Sequence, residues 1–573
     1  MTRAAPVSAG EPPAAPRTDR EQAFLRSRAK PVRGTLLLSS ALAVSNGLLL
    51  VAQHWLLATA LADVILHQAG LADIRERLAA ILGLILLRAA LTWAAEVRAV
   101  EAGARVKQAV RRELADHLVA LGPVRLAGES AGALATALVE SVEAIEPYYT
   151  RFLPTMTLVA WLPLAVLVAV LAEDRMAALI MLLTAPLIPL FMMLIGRGAE
   201  RMNQLQWARL ARMSGRFLDA VQNLVVLKWF NASRAEIAIV ARASEDYRQA
   251  TMAVLRVAFL SSLALEFFAT LGVAMVAVAV GFRLLWGEID FARGLFVLLV
   301  APEFYLPLRT LGAHYHARME AVGAIGTVVD LLGRPVAPQS GGDAAAPELG
   351  SPPEVTFTEV GLTYPDGRVG LTAASFHLAA GRITALVGPS GAGKSSVATL
   401  LLRFAPPSCG DILIDGRPMR DWEISAWRRR IAWAPQRPHL FRGSIADNIR
   451  LGAPEANDAA VARAAQAVGA DDFIAALPNG YAQEVGERGG QLSGGQLRLV
   501  ALARAALRDA ALLILDEPTA NLDAASERAV IEAIRRLAVG RTVLLIAHRP
   551  DAVRLADTVV SLSNGRTLAV EPA

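Results

Sequence analysis

Cysteine is almost absent from this sequence of 573 residues, in which Cys409 is the single one. An intrachain disulfide framework is therefore excluded, and no cluster of cysteines and histidines has metal-ligand spacing. Extended blocks of lysine and arginine are also missing, although the formal net charge is +5 and the isoelectric point is about 9.6. Because the basic residues are scattered between apolar segments, they favour a membrane protein over a nucleic-acid-binding protein.

Long apolar runs dominate residues 34–312. Hydrophobic residues make up 54% of the sequence and its mean hydropathy is +0.42, both above ordinary soluble usage. Each run is close to the roughly 20 residues that an α-helix needs to cross a bilayer. The links between the runs differ in length, and the third and fourth runs are joined only by residues 173–175, which predicts a tight hairpin. We predict six spans, at residues 34–62, 78–95, 152–172, 176–196, 254–281 and 291–312.

The flanking charges predict the orientation of these spans. Residues 1–20 are rich in Ala and Pro and contain no apolar core of a signal peptide, so we expect a disordered cytoplasmic tail. Lysine and arginine are concentrated in residues 1–33, 94–151 and 197–253, whereas the links on the opposite side contain few. By the positive-inside rule, the N-terminus and both long connections are cytoplasmic.

Both long connections have the pattern of amphipathic helices that continue the spans, as in RVKQAVRRELADHLVAL at 105–121. We expect two helical hairpins that extend into the cytoplasm, with tips at residues 122–132 and 219–236. Force from a cytoplasmic domain could enter at such tips. The predicted domains are a membrane domain at 21–332, a linker rich in Gly, Pro and Ala at 333–353, and a domain of alternating strands and helices at 354–573.

The last domain contains a phosphate-binding loop, LVGPSGAGKSS, at residues 386–396. Glycines let its backbone N–H groups point at phosphate oxygens, the lysine reaches the β- and γ-phosphates, and the hydroxyl after it ligates Mg²⁺. A chance glycine-rich turn is the alternative, but an apolar strand at 383–387 precedes the loop and a helix at 395–404 follows it. The predicted nucleotide ligands are Gly388, Ser390, Gly391, Gly393, Lys394, Ser395 and Ser396, with Ser395 also on the metal.

Two acidic residues follow a later buried strand, 512–515. Asp516 is expected to hold Mg²⁺ through water, and Glu517 is placed to orient or deprotonate the attacking water. Upstream, LSGGQ at 492–496 opens a helix with free N–H groups and a hydroxyl that suit an anion. Paired acids at a solvated strand end are the alternative interpretation, which the phosphate loop upstream disfavours.

Three further side chains are candidates for the same site. His548 follows another strand and could contact the γ-phosphate, and Gln436 could sense Mg²⁺ and the attacking water. Tyr364 lies in the turn VGLTYPDG and could stack on adenine, although an ordinary turn tyrosine is the alternative.

Together these motifs resemble the nucleotide-binding domain of ABC transporters over nearly all of residues 354–573. The resemblance adds an exporter X-loop, GERG at 486–489, and a D-loop that includes Asp523. It implies that ATP lies between two such domains, so that Ser493 and Gly495 would contact the γ-phosphate bound by a partner chain. A chain with six spans and one ATPase domain is then half of a transporter and requires a second chain.

Several membrane segments are similar to the CydD subunits of the CydDC exporters, bacterial heterodimers needed for cytochrome bd assembly. The similar segments are TAPLIPLFM at 184–192, SEDYRQATMAVLRVAFLSS at 244–262, LEFF at 265–268, and the stretch from VAPEFYLPLR to AVGA at 300–324, where residue 300 departs from the family pattern in being Val. The resemblance implies a CydC-type partner, the inner membrane as location, and glutathione or cysteine as cargo, with haem as a competing substrate or regulator.

Ionisable residues within the predicted spans are costly and are therefore candidates for cargo contact. Arg88 and Arg309 could pair with the carboxylates of glutathione or with haem propionates, and Tyr315 or His316 could ligate haem iron. Glu303 and Arg309 could instead pair to lock helices together. We also expect Pro302 and Pro307 to break the sixth helix and free backbone groups to line a cavity.

The sequence thus predicts an all-α six-helix transmembrane domain of the ABC exporter type, followed by an α/β P-loop ABC nucleotide-binding domain. The expected function is ATP-driven export of a thiol or haem by a heterodimer in the lipid bilayer, with ATP and Mg²⁺ and without nucleic acid. A homodimeric lipid or drug exporter and an ATP-gated membrane regulator that moves no cargo are the alternatives.

Overall fold

The computed structural model describes residues 17–129, 131–336, 351–486 and 492–572. The chain forms two units, of which the first comprises Met1–Leu118 and Glu129–Arg334 and the second comprises Val119–Gly128 and Pro335–Ala573. The second unit therefore contains the predicted ATPase domain, most of the predicted linker, and the end of α3 with part of the predicted tip of the first helical hairpin.

The first unit is helical along its described residues. Five of its helical segments are long and apolar enough to cross a membrane: Asp19–His67, Leu71–Arg125, Tyr148–Glu173, Ser233–Leu285 and Phe291–Leu332. Two π-helical turns, Ala137–Ser141 and Tyr148–Phe152, lie within the segment that leads into α5. The α-helices are α1 (Arg17–Ala29), α2 (Arg33–His67), α3 (Leu71–Arg125), α4 (Ala131–Thr136), α5 (Leu153–Glu173), α6 (Arg175–Thr184), α7 (Leu187–Gln222), α8 (Leu224–Trp229), α9 (Ser233–Leu285) and α10 (Phe291–Leu332).

Two predicted segments differ in detail from the structure. The fourth predicted span, at 176–196, contains an interruption: α6 ends at Thr184 and α7 begins at Leu187, because Pro186 has no N–H to continue the helical ladder. The predicted disordered tail extended to residue 20, but α1 already begins at Arg17. Residues 1–16 lie outside the described residues.

The sixth span is also more regular than its sequence suggests. Pro302 and Pro307 were expected to break it, yet α10 runs unbroken through both positions. Each proline removes one backbone hydrogen bond, and neighbouring helices of a membrane bundle tolerate such a loss. The tight hairpin is confirmed: α5 ends at Glu173, and Asp174 caps α6 by accepting hydrogen bonds from Met176 N and Ala177 N.

The two long connections are helical hairpins, as predicted. α3 keeps its helical course until Gly122, where a φ of +69° breaks it just before Pro123. In the second connection α7 packs along α9, and the short helix α8 forms the turn between them inside the predicted tip at 219–236.

The core of the first unit contains one buried polar contact between α6 and α10. The hydroxyls of Tyr305 and Thr184 lie 2.7 Å apart, and the Tyr305 ring packs on Gly272 of α9 so closely that a Cβ there would lie 2.5 Å from its hydroxyl oxygen. The small residue lets the helix approach the aromatic ring, as is common between helices in membranes.

The second unit is an α/β fold around a mixed sheet. Its strands are ordered β5-β4-β1-β2-β12-β11-β3-β10-β9-β6, and β7 and β8 form a separate pair. The strands are β1 (Val355–Thr363), β2 (Val369–Leu378), β3 (Ile383–Val387), β4 (Cys409–Ile414), β5 (Arg417–Pro418), β6 (Ile431–Ala434), β7 (Gly443–Ser444), β8 (Glu484–Val485), β9 (Leu512–Asp516), β10 (Thr542–Ile546), β11 (Thr558–Ser563) and β12 (Arg566–Pro572). The helices are α11 (Lys394–Leu401), α12 (Ile424–Arg429), α13 (Ile445–Arg450), α14 (Asp458–Ala467), α15 (Asp471–Ala475), α16 (Gly494–Arg508), α17 (Ala524–Ala538) and α18 (Pro550–Val553).

The parallel centre of this sheet positions the predicted site. β10 pairs in parallel with β3 on one side and with β9 on the other, with Ile546 opposite Leu386 and Asp516. Since carboxyl ends of parallel strands meet at one edge, the phosphate loop, the acidic pair and the segment with His548 all begin at this edge. β10 is buried along its whole length, and β9 and β3 are buried except at their ends, which explains the largely apolar sequences of these strands.

Candidate nucleotide-binding and catalytic site

The phosphate loop is built around glycines that no other residue could replace without strain. Gly388 has a φ of +149°, and a Cβ there would lie 2.2 Å from the Leu562 carbonyl oxygen. Gly393 has a φ of +103°, and its Cβ would lie 2.5 Å from the Gly370 oxygen. The backbone therefore turns tightly against β11 and β2, and a tight glycine-rich turn of this kind can direct successive N–H groups toward an anion.

Lys394 begins α11 directly after this loop. Its Nζ donates hydrogen bonds of 2.9 Å to the carbonyl oxygens of Gly388 and Pro389, so the ammonium lies across the loop. Burial lowers the pKa of Lys394 from its usual value, and the carboxylates of Glu517 and Asp516 oppose that shift. A buried ammonium with only carbonyl partners is suited to bind phosphate oxygens in their place.

The hydroxyls around Lys394 have different surroundings. Ser390 and Ser395 are exposed, and Ser395 stands in the first turn of α11 where a phosphate-bound metal would lie. Ser396 is buried and its Oγ lies 3.0 Å from the hydroxyl of Tyr364. Ser396 was predicted to bind nucleotide, and in this structure its side chain connects the loop to Tyr364.

The ring of Tyr364, which was predicted to stack on adenine, already contacts another side chain. The Arg368 guanidinium lies 4.4 Å from the centre of the Tyr364 ring, within cation–π range. A base that stacks on this face would therefore have to displace Arg368 or stack over it. The role of Tyr364 stays a prediction.

Asp516 is the last residue of β9 and is largely buried. Burial raises its pKa to about 6, the neighbouring Glu517 adds to the increase, and Lys394 opposes it. The carboxyl group thus ionises less readily than a free aspartate and would gain from a nearby cation.

Glu517, the next residue, is held from two sides. The side-chain amide of Gln436 donates a hydrogen bond of 2.5 Å to its Oε2, and Nε2 of His548 lies 3.3 Å from its Oε1. The three predicted catalytic residues therefore meet at one carboxylate. Gln436 was predicted to face Mg²⁺ and the attacking water; its side chain contacts Glu517, and its role toward the metal stays a prediction.

The backbone of Glu517 is unusual, with a φ of +46°. Its N–H donates to the Ile546 carbonyl oxygen at 2.9 Å, which ties the turn to β10. A non-glycine residue in the left-handed region is uncommon and marks a position where the surrounding structure enforces the conformation.

Arg498 is a residue of this site that the sequence reasoning missed. From α16 its guanidinium donates to three carbonyl oxygens of the turn after β9, those of Glu517 (3.2 Å), Pro518 (3.1 Å) and Ala520 (2.7 Å). It thereby fixes the turn that presents the acidic pair. The sequence feature that could have identified Arg498 is its place, as an arginine, on the otherwise apolar face of the helix that begins at LSGGQ.

The LSGGQ segment caps its own helix. Ser493 Oγ accepts from Gln496 N at 3.3 Å, while the Gln496 side chain accepts from Ser493 N at 2.9 Å, a reciprocal capping box. A Cβ at Gly495 would lie 2.6 Å from Ser526 Oγ, and that hydroxyl donates to Asp523, the cap of α17. LSGGQ and the segment after the acidic pair are thus packed together. Residues 487–489 of the predicted X-loop lie outside the described residues.

Family models match both units of the chain. The description "ABC transporter transmembrane region" covers residues 36–301, and "ABC transporter" covers residues 371–520. A protein of Escherichia coli K12 named glutathione/L-cysteine transport system ATP-binding/permease protein CydD is 38% identical over 93% of this chain and 91% of its own length.

The chain belongs to the ABC transporter family, within the CydD/CydC group. A CydC protein of Bacillus subtilis 168 of the same transport system is 34% identical over 82% of this chain and 81% of its own. The solved structure of a bacterial Atm1-family ABC exporter with ATP bound has a TM-score of 0.79 at 26% identity and covers 96% of both chains. This ABC transporter subunit is thus a multi-pass membrane protein that couples ATP hydrolysis to transport.

The residues at the strand edge fit the Mg²⁺ that such an ATPase uses. Ser395 and Asp516 line one cavity of about 400 Å³, together with Tyr364 and Trp433. Hydroxyl and carboxylate oxygens are the ligands that Mg²⁺ prefers, and it usually keeps several waters and substrate phosphates as its other ligands. The ion would supply positive charge for the transferred phosphate.

Segment Val119–Gly128 of this ABC subunit packs on the ATPase fold within the second unit. Val124 and Phe404 are both partly buried against the same apolar core, and Arg125 donates to the Pro335 carbonyl oxygen at 2.7 Å. Pro123 and Val124 line the same cavity as Tyr364 and Ser395. The predicted tip of the first hairpin therefore adjoins the nucleotide site.

The predicted cargo residues of the membrane domain are not one cluster. Nη1 of Arg309 on α10 donates to both carboxylate oxygens of Glu266 on α9, at 2.8 and 2.9 Å, and the alternative pair with Glu303 is not formed. The Tyr315 ring lies under the Arg318 guanidinium at 5.3 Å. The side chain of His316 lies outside the described residues. Arg88 donates to Asn46 and Gln53 of α2.

Proposed function

We propose that this chain is one subunit of a heterodimeric exporter that uses ATP to move a low-molecular-weight thiol, glutathione or cysteine, toward the periplasm. The observation that carries the proposal is the 38% identity, over nearly the full length of both chains, to a protein named for glutathione and L-cysteine transport. Similarity to both CydD and CydC proteins supports an unlike partner of CydC type. Such an exporter would support cytochrome bd assembly.

The proposed orientation places the N-terminus, the helical hairpins and the ATPase domain in the cytoplasm of a bacterium, with the spans in its inner membrane. Lysine and arginine are enriched in the segments assigned to the cytoplasm, in accordance with the positive-inside rule. Export is then the direction that carries cargo away from the side where ATP binds.

In the proposed catalytic site Lys394 and the N–H groups of the phosphate loop bind the β- and γ-phosphates, and Ser395, Asp516 and Gln436 hold Mg²⁺. Glu517 orients or deprotonates the attacking water and His548 contacts the γ-phosphate. The neighbouring contacts of Gln436 and His548 with Glu517 support a shared role.

The second half of each ATP site would come from the other chain. Ser493 and Gly495 lie at the N-terminus of α16, where free N–H groups suit a phosphate. We propose that they serve the nucleotide bound by the partner, with Asp523 beside them.

Transport by the reconstituted complex tests the proposal. The chain is co-purified with its CydC-type partner, placed in liposomes with the ATPase domains outside, and given labelled glutathione, cysteine or haem with ATP. We expect ATP-dependent uptake of a thiol, which Glu517→Gln abolishes. Uptake of haem and of no thiol would identify haem as the cargo, with Tyr315 and His316 as candidate iron ligands. Thiol-stimulated ATPase activity without uptake would favour a regulator, and purification as a homodimer would favour a lipid or drug exporter.

A further inference from the structure

Two arginines from different elements hold the turn 517–523, which follows β9. Arg498 of α16 donates to three carbonyl oxygens in the first part of this turn. Nη2 of Arg549 donates to the Leu522 carbonyl oxygen at 3.2 Å, in the last part. Asn521 has a left-handed backbone with a φ of +58°, and so has the first residue of the turn. The course of this turn therefore depends on contacts from outside it and not on the preference of its own backbone.

Arg549 is itself fixed by a buried carboxylate. Its Nη1 pairs with Oε2 of Glu527, a buried residue in the first turn of α17. The other carboxylate oxygen of Glu527 is also buried and has no hydrogen-bond partner in the described part of the chain. A buried charge is costly when it loses its ionic partner, so Glu527 keeps the guanidinium in place.

Arg549 connects two parts of the proposed catalytic machinery. It directly follows His548, whose Nε2 lies 3.3 Å from Oε1 of Glu517. Leu522, which accepts its hydrogen bond, directly precedes Asp523, the N-cap of α17. A displacement of either His548 or Asp523 would therefore strain the contact between Arg549 and Leu522.

An ion pair that only stabilises the fold would need no more than Arg549 and Glu527. The same guanidinium makes one contact more, because its second nitrogen donates to Leu522. The planar guanidinium holds both contacts in a fixed relative geometry, which the single ammonium of lysine does not do. The ion pair thus anchors the side chain, and the hydrogen bond holds the turn.

We propose that Arg549 is a positioning residue for ATP hydrolysis that acts on both ATP sites of the complex. Through the backbone it positions His548 in the site of its own chain. Through Leu522 it positions Asp523, beside the LSGGQ residues that serve the partner's nucleotide. The inference rests on the proposed sharing of each ATP site between two chains. Because Arg549 positions other groups and binds no nucleotide, its loss lowers kcat and leaves the KM for ATP nearly unchanged.

ATP turnover by the complex with the partner tests this role. Arg549→Met should lower kcat about tenfold, because one hydrogen bond from a charged donor is worth roughly that factor. Arg549→Lys keeps the ion pair with Glu527 but loses the fixed second contact, so its kcat should also fall while its melting temperature stays close to that of wild type. With Glu517→Gln in the same chain, the remaining turnover belongs to the partner's site, and Arg549→Met should lower it by a similar factor.

A double variant separates positioning from stability. Arg549→Met alone leaves the buried carboxylate of Glu527 unpaired and should lower the melting temperature. Arg549→Met with Glu527→Met replaces the ion pair by apolar side chains of similar length and should restore the melting temperature. Its kcat should stay about tenfold low, because Leu522 still lacks its donor. Recovery of kcat together with the melting temperature would overturn the inference, and so would an unchanged kcat in Arg549→Met.

Arg554→Met is the matched control, the same change at an exposed ion pair with Asp551, and it should leave kcat unchanged. Ser493→Ala tests the sharing of the sites separately. If it leaves the turnover that remains with Glu517→Gln unchanged, the sharing fails and the action of Arg549 is confined to its own site, which overturns the inference for the partner's site. ATP hydrolysis without thiol uptake would refute the proposed export and leave this inference standing.

Discussion

The side-chain amide of Gln436 donates a 2.5 Å hydrogen bond to the carboxylate of Glu517. The contact joins the segment after β6 to the residue after β9, so the residue expected to sense Mg²⁺ bears directly on the residue expected to activate water. A nucleotide with Mg²⁺ would compete for the same amide. The presence or absence of this hydrogen bond therefore reports whether nucleotide and Mg²⁺ occupy the site.

Replacing Glu517 by Gln should stop hydrolysis at this chain's site while ATP still binds. Gln retains an oxygen that accepts from Gln436 but cannot take a proton from water, so kcat should fall about 10²–10⁴-fold with little change in the ATP dissociation constant. Turnover and nucleotide binding are measured on the complex with the partner. Undiminished turnover would mean that the partner's site carries the hydrolysis.

Arg498 should matter for stability as much as for activity. Arg498→Ala removes the guanidinium donor from the carbonyl oxygens of Glu517, Pro518 and Ala520, of which that of Glu517 still accepts from Ala520 N. We expect the free energy of unfolding to fall by about 2–3 kcal/mol. Arg498→Lys keeps the charge but loses the planar guanidinium, so its stability should lie between those of Arg498→Ala and wild type. Thermal unfolding of the complex measures both variants. Equal stability of Arg498→Ala and wild type would contradict the assignment.

The contact between Gly495 and Ser526 predicts a compensating pair. Gly495→Ala places a Cβ 2.6 Å from Ser526 Oγ and 2.7 Å from Ser526 Cβ, and such overpacking typically costs about 1–3 kcal/mol. Ser526→Gly removes both atoms and should restore much of the stability lost by Gly495→Ala. Ser526→Ala removes only the hydroxyl and should restore less. Additive losses in the double variant would show that the two residues do not touch.

The raised pKa of Asp516 predicts a pH-dependent metal affinity. With a pKa of about 6 against the usual 3.8, the folded site holds its proton more tightly than a free aspartate does. Protons should therefore compete with Mg²⁺ below about pH 6, and the apparent Mg²⁺ affinity should fall about tenfold per pH unit there. Ionisation of Asp516 also lowers the stability of the ligand-free protein as pH rises from about 4 to above 6.

Mg²⁺ titrations of nucleotide binding between pH 5 and 8 measure this effect. A parallel titration of Mg²⁺ with ATP alone removes the contribution of the nucleotide itself. A protein-dependent affinity that is constant across this range would contradict the shift.

Asp174 should be a stability determinant of the membrane domain. It is buried, caps α6 through Met176 N and Ala177 N, and pairs with Arg283 at the end of α9. Asp174→Asn keeps the capping oxygen and loses the ion pair, whereas Asp174→Ala loses both, so the latter should cost more, about 2–4 kcal/mol in total. Thermal unfolding in detergent ranks the two. Equal melting temperatures for the two variants would mean that the cap contributes nothing.

Local patterns predicted where three motifs of the ATPase domain lie in the fold, because the phosphate loop, the acidic pair and the segment with His548 each come at the end of a strand. The strand at 383–387 and the phosphate loop after it are where their sequence placed them, and the parallel sheet brings Asp516, Glu517 and His548 to the same edge. A local sequence pattern cannot predict a contact with a residue that is distant along the chain. The hydrogen bond between Gln436 and Glu517 and the reach of Arg498 across its turn depend on tertiary packing.

In the membrane domain the hydrophobic runs predicted which segments are spans but not how their prolines act. Pro186 ends α6, whereas α10 continues through Pro302 and Pro307. All three prolines lack a backbone N–H. Whether the helix continues through a proline therefore depends on how the neighbouring helices pack against it at that position. Likewise the charge of Arg309 was visible in the sequence, but its pairing with Glu266 depends on how α9 and α10 pack.

The left-handed backbone of Glu517 has a consequence for how this residue can vary. Holding a non-glycine residue there costs on the order of 1 kcal/mol or more, which glycine would not incur. The substitution Glu517→Gly would therefore make the chain more stable and inactive, and Glu517→Asn would be intermediate in backbone strain. The backbone conformation alone would favour glycine over glutamate at this position, so this chain carries its carboxylate against the conformational preference of its own backbone.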